Sequence, residues 1–395
     1  MSNLALHGGK PVRATMLPYA TQAIDADDKK AVAEVLSGTL LTTGPAVRIF
    51  EDALCAYTGA KHAIAVNNGT SALHIAACLA DIGPGDEVIV PAISFVASAN
   101  CVLYQRGTPV FADLKADDLT IDPEDVARKI TPKTKAIVIV DYAGHPCAHD
   151  ALSAIAAQHG LAIIDDAAHA LGAEYHGRKV GVLQDFTTMS FHPVKHITTG
   201  EGGAILTDSP EKAQMARSLR HHGIDLDWIA RGQQQGWTYD VPHLGYNYRI
   251  PDINCALGIS QLKKLDGWNA RRREIATHYA EVLKDFSWMQ LPVELPGCRS
   301  AWHLYPVRLN LEMLQTGRTE VFAALRAENI GVNVHYIPIP WLTLYQNLGY
   351  RKGQCPVAER EYERLLSLPM YPGMADQDVA DVAEALAKIW AAYKR

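Results

Sequence analysis

The sequence predicts an α/β protein, with a large domain on a mostly parallel sheet and a smaller α+β domain after it. Three observations carry this expectation. Between residues 60 and 210, short runs rich in Val and Ile alternate with segments of helical periodicity. Those runs are apolar on both faces, as strands covered by helices above and below must be. After "GYNYRIPDINCALG" the alternation stops and longer helical stretches take over.

Strands are predicted at 63–66, 87–90, 109–113, 136–140, 162–165, 187–191 and 203–207, with helices at 70–80, 122–130 and 149–160 among them. One long helical stretch with a basic face is expected over 251–286. "HLYPVRL" and "GVNVHYIPI" read as strands around a helix near 318–328, and helical patterns near 357–367 and 375–393 close the chain. The division therefore falls near residue 250. Residues 1–250 form the large domain, with an N-terminal segment over 1–25, and 251–395 the small one.

Composition bounds the function. The 395 residues are 48% hydrophobic with a formal net charge of -6, so no basic face for nucleic acid is expected. An anionic ligand must then be held by local features. No apolar run approaches a membrane span, and the first residues lack the apolar core of a secretory signal. The seven cysteines are scattered and never form a Cys-x-x-Cys pair, which suits free thiols in a cytoplasm.

Four features fall at predicted strand ends, where open α/β sheets place their ligands. In "NNGTSALHIAA", Gly69 permits a tight turn and Thr70 or Ser71 caps the next helix, whose free amides suit a phosphate. An ordinary capped helix would read the same way. In "AIIDDAAHALGAEY", Asp165 and Asp166 should point to opposite faces, and His169 follows three residues after Asp166. A carboxylate there serves equally as an N-cap, a metal ligand or the partner of a protonated ring nitrogen. Taken alone, the histidine is a structural residue.

In "SFHPVKHITTGEGGAIL", Ser190 ends a strand and Lys195 lies in the loop before a glycine cluster. A desolvated lysine loses its proton near neutral pH and attacks carbonyls; a solvated one does nothing. In "ISFVASAN", Phe95 follows a strand and offers a platform for a flat ligand, or simply joins the core. Together these supply an anion pocket, a carboxylate, a flat ring and an aldehyde-reactive amine. Pyridoxal phosphate (PLP) needs that whole set. "HPCAH" offers three potential metal ligands, but its proline disturbs their spacing, and no metal site is expected.

The order "NNGTSAL", "ISFVASAN", "DDAAHALGA", "SFHPVKHITTGEGGA", "GYNYRIPDINCALG" and "SLPMYP" resembles the DegT/DnrJ/EryC1/StrS sugar aminotransferases over nearly the whole chain. The resemblance implies a PLP-dependent transferase of fold type I acting on nucleotide-linked ketosugars. "LLTTGP", "DYAGHPC" and "VNVHYIPI" look most like the branch that makes the pseudaminic acid precursor, which implies C4 amination of a UDP-linked 4-keto-6-deoxy-N-acetylhexosamine. A GDP- or dTDP-linked ketosugar aminated at C3 or C4 is the alternative, as is a PLP-dependent sugar dehydratase. In such dehydratases histidine replaces the lysine or an iron–sulfur cluster is added, and here Lys195 is present.

Carried over residue by residue, Lys195 matches the lysine that condenses with the cofactor aldehyde and Asp166 the partner of its ring nitrogen. His169 falls beside the phenolic oxygen, and Gly69, Thr70, Ser71 and Ser190 fall at the phosphate. Asn247 matches an asparagine that reaches the neighbouring subunit's cofactor, so a homodimer with shared active sites is implied. Tyr19, Thr42, Thr43, Gly44, His335, Tyr336, Ile337 and Pro338 are expected to line the sugar-nucleotide site. The implied reaction is ping-pong, with L-glutamate as donor and Lys195 moving the proton. Two departures stand out: Asp165-Asp166 replaces the family's Glu-Asp, and "AGHP", with His145, replaces "AGQP".

Overall fold

Strands that read apolar on both faces need cover on both faces, and the fold supplies it. A computed structural model describes residues 4–225 and 237–395. Seven strands form the central sheet: β1 (His62–Val66), β2 (Glu87–Pro91), β3 (Thr108–Ala112), β4 (Thr134–Val140), β5 (Ala162–Asp166), β6 (Phe186–Ser190) and β7 (Gly203–Thr207). Their spatial order is β1-β7-β6-β5-β4-β2-β3. All are parallel except β7, which runs antiparallel to both neighbours. Each of the seven strands predicted between residues 60 and 210 is present within one or two residues.

One face packs Val88, Val138 and Ile164 against the helices Gly69–Leu79, Ala97–Tyr104 and Pro210–Arg220. The other packs Ile89, Ile137, Ile139 and Ile163 against Val126 and Leu152, from Pro123–Lys129 and His149–His159. Side chains alternate along each strand, so each strand feeds both layers. The helices Ala26–Leu36, Pro45–Thr58, Ala97–Tyr104 and Pro210–Arg220 go beyond those expected from the sequence.

The C-terminal part differs from expectation in two places. The stretch over 251–286 is two helices, Asp252–Leu262 and Leu265–Leu283, not one. They separate where Lys264 leaves to pair with Asp25 and Asp28 at 2.5 and 2.8 Å. "GVNVHYIPI" is not a strand. It is extended backbone joined to the small sheet by one bridge, Asn333 to Ser367, and then turned away. Pro338 within it and Pro340 just after it have no N–H to continue a ladder. The small antiparallel sheet is instead Met289–Gln290, Tyr305–Leu309 and Leu365–Leu368. Packing crosses residue 250 both ways. Leu4 and Leu17 are buried with Tyr279, Trp288 and Leu386, while Cys255 and Leu262 pack on Phe50 and Phe191.

The sheet carries a tight contact that shapes the site. Gly203, opening β7, lies so close to the turn after β1 that a Cβ would stand 2.6 Å from both the C and O of Asn68. Backbone cannot move aside cheaply. Gly203→Ala is therefore expected to destabilise the protein by about 1–3 kcal/mol, read as a lower urea midpoint. An unchanged midpoint would show that the turn has slack.

Candidate active site

A cavity of about 900 Å³ opens at the C-terminal ends of β1, β2, β5 and β6. The mouth is completed by Tyr19 and by the extended segment at Asn333–Tyr336. All four strand-end features predicted from the sequence meet in it. Gly69, Thr70, Ser71, Phe95, Asp166, His169, Ser190 and Lys195 line its walls, as do Tyr19, His335 and Tyr336.

The anion cradle is built differently from expectation. The helix Gly69–Leu79 is capped by Asn68, whose side-chain oxygen accepts from the Ser71 N–H at 2.8 Å. Thr70 and Ser71 are thus inside the first turn, not at the cap. Their hydroxyls stay available to a ligand, beside the positive end of the helix. Gly69 serves close approach and not a left-handed turn: a Cβ there would lie 2.9 Å from Ser190 Cβ. That contact brings the end of β6 against the helix start, so Ser190 faces the same pocket.

Lys195 and Asp166 share the cavity from opposite sides of the loop and sheet. Lys195 is partly buried, and burial draws its amine down to about 8, with Asp166 pulling the other way. About a tenth of the amine is therefore free at pH 7, far more than for an ordinary lysine. Asp166 is 5% exposed. Burial raises its carboxyl, offset by the Ser98 hydroxyl and the charge of Lys195. Ser98 Oγ donates to Asp166 Oδ2 at 2.6 Å and is itself held by Ser94 Oγ at 2.7 Å.

A group of histidines lies at and behind the inner wall. The His169 and His303 rings lie 4.4 Å apart, and His196 lies 5.2 Å from His303. Burial holds all three well below the usual imidazole range; neighbouring imidazoles and Lys195 add to it at His169 and His303, and Arg272 and Lys195 at His196. His335 falls to about 4 for the same first reason. Tyr336 meets His169 Nε2 through its hydroxyl at 3.2 Å. Neutral rings beside Lys195 add polarity without adding positive charge.

Some predicted residues lie elsewhere. Ile337 is 46% exposed and Pro338 starts a short turn; neither lines this cavity. Thr43 and Gly44 line a second cavity of about 610 Å³, and Thr42 bridges Pro251. There Asp252 accepts from the Gly44 and Ala46 N–H groups at 2.8 and 2.9 Å. Asn247 is exposed and bridges His221. His145 is buried away from the cavity, its Nε2 accepting from the Leu295 N–H at 3.0 Å, so the "AGHP" departure has a structural origin.

Comparison with known proteins fits this geometry to a family. The family model described as the DegT/DnrJ/EryC1/StrS aminotransferase family matches residues 22–387. The chain belongs to that family. It is 40% identical over 380 residues to the Bacillus subtilis spore coat polysaccharide biosynthesis protein SpsC, covering 95% of this chain and 98% of that one. Among solved structures it is similar to Helicobacter pylori PseC, an aminotransferase involved in pseudaminic acid biosynthesis. That match has 34% identity, a TM-score of 0.89, and covers 96% of this chain and 100% of PseC. Spr1654 from Streptococcus pneumoniae in its PLP form is 30% identical with a TM-score of 0.89, covering 95% and 98% of the two chains. Its PMP form matches as well.

The chain is thus a PLP-dependent sugar aminotransferase, and its own residues fit the cofactor. Asp166 is a buried carboxylate that feels the charge of Lys195 but forms no close ion pair among the described residues, so a protonated ring nitrogen completes its charge balance. Phe95, a large apolar ring, is left 55% exposed at the cavity. Three hydroxyls and a helix start converge where a phosphate belongs.

Sequence reasoning missed Ser98, although "ISFVASAN" contains it: only the aromatic in that stretch was weighed. Its signal was a small hydroxyl in the first turn of a helix leaving a strand end. His303 gave no local signal at all, since it arrives from the C-terminal part.

Two measurements test this electrostatic account. Ser98→Ala removes a donor that favours the ionised Asp166, so turnover should fall about 10- to 100-fold with the fold retained. Wild-type turnover would show that Asp166 needs no such donor. Lys195 is an ammonium below its pKa and reacts only as free amine. The rate at which apoenzyme takes up PLP should therefore climb with pH through a midpoint near 8 and level off above about 9. A midpoint near that of an ordinary lysine would mean the amine is solvated.

Proposed function

We propose that this enzyme aminates C4 of a UDP-linked 4-keto-6-deoxy-N-acetylhexosamine on the way to a nonulosonic acid of the pseudaminic type, with L-glutamate as the amino donor. The reading rests on one observation above the others. Lys195 lies in a protein-walled cavity facing Asp166, with an anion cradle at one end and room for a sugar nucleotide at the other. The likeness to PseC over nearly the full length of both chains supports this choice of sugar.

Each residue has a task in this scheme. Thr70, Ser71 and Ser190 would hold the phosphate of PLP, Asp166 its ring nitrogen, Phe95 its face, and His169 its phenolic oxygen. Bound there, PLP supplies an aldehyde that takes up and hands on an amino group, and a ring that draws off electrons. Lys195 moves the proton between cofactor and the sugar's C4, with its basicity poised near neutral pH. Asp166, hydrogen-bonded by Ser98, keeps a proton on the ring nitrogen. Tyr19, His335 and Tyr336 orient the sugar.

Thr42, Thr43, Gly44 and Asn247 stand outside this chain's cavity, so their use requires a second copy. A cytoplasmic homodimer with shared sites is part of the proposal. The higher identity to SpsC supports a second reading, in which another nucleotide ketosugar is aminated for a surface polysaccharide.

Lys195→Ala should abolish transamination with glutamate while circular dichroism stays native; normal turnover in that variant would remove the lysine from the mechanism. Offering UDP-, GDP- and dTDP-linked ketosugars to the aminated wild-type enzyme then separates the two readings. Preference for the UDP-N-acetyl sugar supports the first, and preference for another nucleotide the second.

A further inference from the structure

Three more side chains converge on the sheet face opposite Asp166 and take no part in the reaction above. Asp165 precedes Asp166 on β5 and points the other way, Asp141 follows the last residue of β4, and His149 opens the helix His149–His159. One ligand atom from each lies within 4.8 Å of the other two. Asp141 and Asp165 are 0% exposed and His149 is 2% exposed.

The outer atom of each group is already held. Asp141 Oδ1 accepts from the Cys147 N–H at 2.7 Å, the Thr187 hydroxyl reaches Asp165 Oδ2 at 3.4 Å, and His149 Nδ1 meets the Gln184 amide at 2.9 Å. Two carboxylate oxygens are not. Asp141 Oδ2 and Asp165 Oδ1 are buried without a hydrogen-bond partner. The nearest positive candidate is His149 itself, whose Nε2 lies 3.1 Å from Asp141 Oδ1. No Lys or Arg pairs with either carboxylate among the described residues. Buried carboxylates each cost several kcal/mol unless neutralised. Burial first, then the charges of Asp141 and Asp166, push Asp165 well above the usual carboxyl range. The cluster therefore needs neutralising, by a shared proton or by a bound cation.

We propose that Asp141, His149 and Asp165 bind one first-row divalent cation of the zinc or manganese type. Two carboxylate oxygens and one imidazole nitrogen are a suitable donor set for such ions. The bonds from Cys147, Thr187 and Gln184 act as the outer contacts that orient metal ligands. With Nδ1 protonated and the Gln184 amide turned end for end, His149 Nε2 offers its lone pair inward. Atoms bound at about 2.1 Å around one tetrahedral ion lie about 3.4 Å apart, so this set closes by at most about 1.4 Å. This is not the "HPCAH" set weighed from the sequence. His145 bonds Leu295, and Cys147 Sγ donates to the Val140 carbonyl at 3.0 Å. The ion would clamp the ends of β4 and β5 directly behind the carboxylate that serves PLP. Its role is to hold Asp166 in place, not to touch substrate.

The test is metal content of the PLP-loaded wild-type protein after incubation with zinc or manganese chloride and gel filtration. About one ion per chain should be retained. Asp165→Asn and His149→Gln should each weaken retention about 10- to 100-fold while PLP per chain stays constant. Cobalt loading should give a visible band that both variants lose. If either variant fails to fold, the wild-type metal content and cobalt spectrum still decide. Wild-type protein that retains no more metal than the variants, with no rise in melting temperature in either salt, overturns the proposal and leaves a shared proton as the neutralising charge.

Discussion

The site depends on keeping one primary amine away from bulk water. Desolvation lowers the basicity of Lys195 and the nearby carboxylate of Asp166 restores part of it, so the amine ends near neutrality. Neither effect alone would serve. A fully solvated lysine stays an ammonium at working pH, and a buried one with no carboxylate nearby would be a poorer base for the proton that must later move. Asp166 has the mirror problem, because burial favours its neutral form. It is kept ionisable by the hydroxyl of Ser98 and by positive charge from Lys195.

Holding those groups in register is the work of the sheet ends. The proposed cofactor cradle combines a helix start after β1, a serine closing β6 and a lysine loop between β6 and β7. These come together only because Gly69 and Gly203 let backbone approach where any side chain would collide. Hydroxyls in the first helical turn are then aimed at a ligand, because Asn68 has already taken the capping task. The neutral histidines around Lys195 follow from the same enclosure: four imidazoles kept unprotonated by burial surround the amine without competing with it for Asp166.

Much of this was legible residue by residue. The seven strands were visible because β-branched runs of four to seven residues, apolar on both faces, have few other uses in a chain of this composition. Lys195, Asp166 and Ser190 were visible because each sits where a strand stops. Several helices were not: Pro45–Thr58 carries a mixed pattern whose buried stripe is defined by later partners such as Cys255 and Leu262, and Ala26–Leu36 buries only Asp28, against Gln261 and Lys264. The segment around Tyr336 has the composition of a strand, yet prolines and the pull of the cavity take it out of the sheet. Its hydroxyl meets His169 instead of a neighbouring strand.

What the sequence alone determined is local chemistry and its order: an amine, a carboxylate, hydroxyls and a platform aromatic, each at the end of a strand whose periodicity announced it. Strand periodicity is short-range, so it survives in one dimension. Only the tertiary structure decided which of these groups share a cavity, that Ser98 and His303 join them, and that Thr43, Gly44 and Asn247 face elsewhere. It alone also placed Asp141, His149 and Asp165 together behind the sheet. Those outcomes turn on crossover connections and on close backbone contacts between segments more than a hundred residues apart, and no local pattern records such distances.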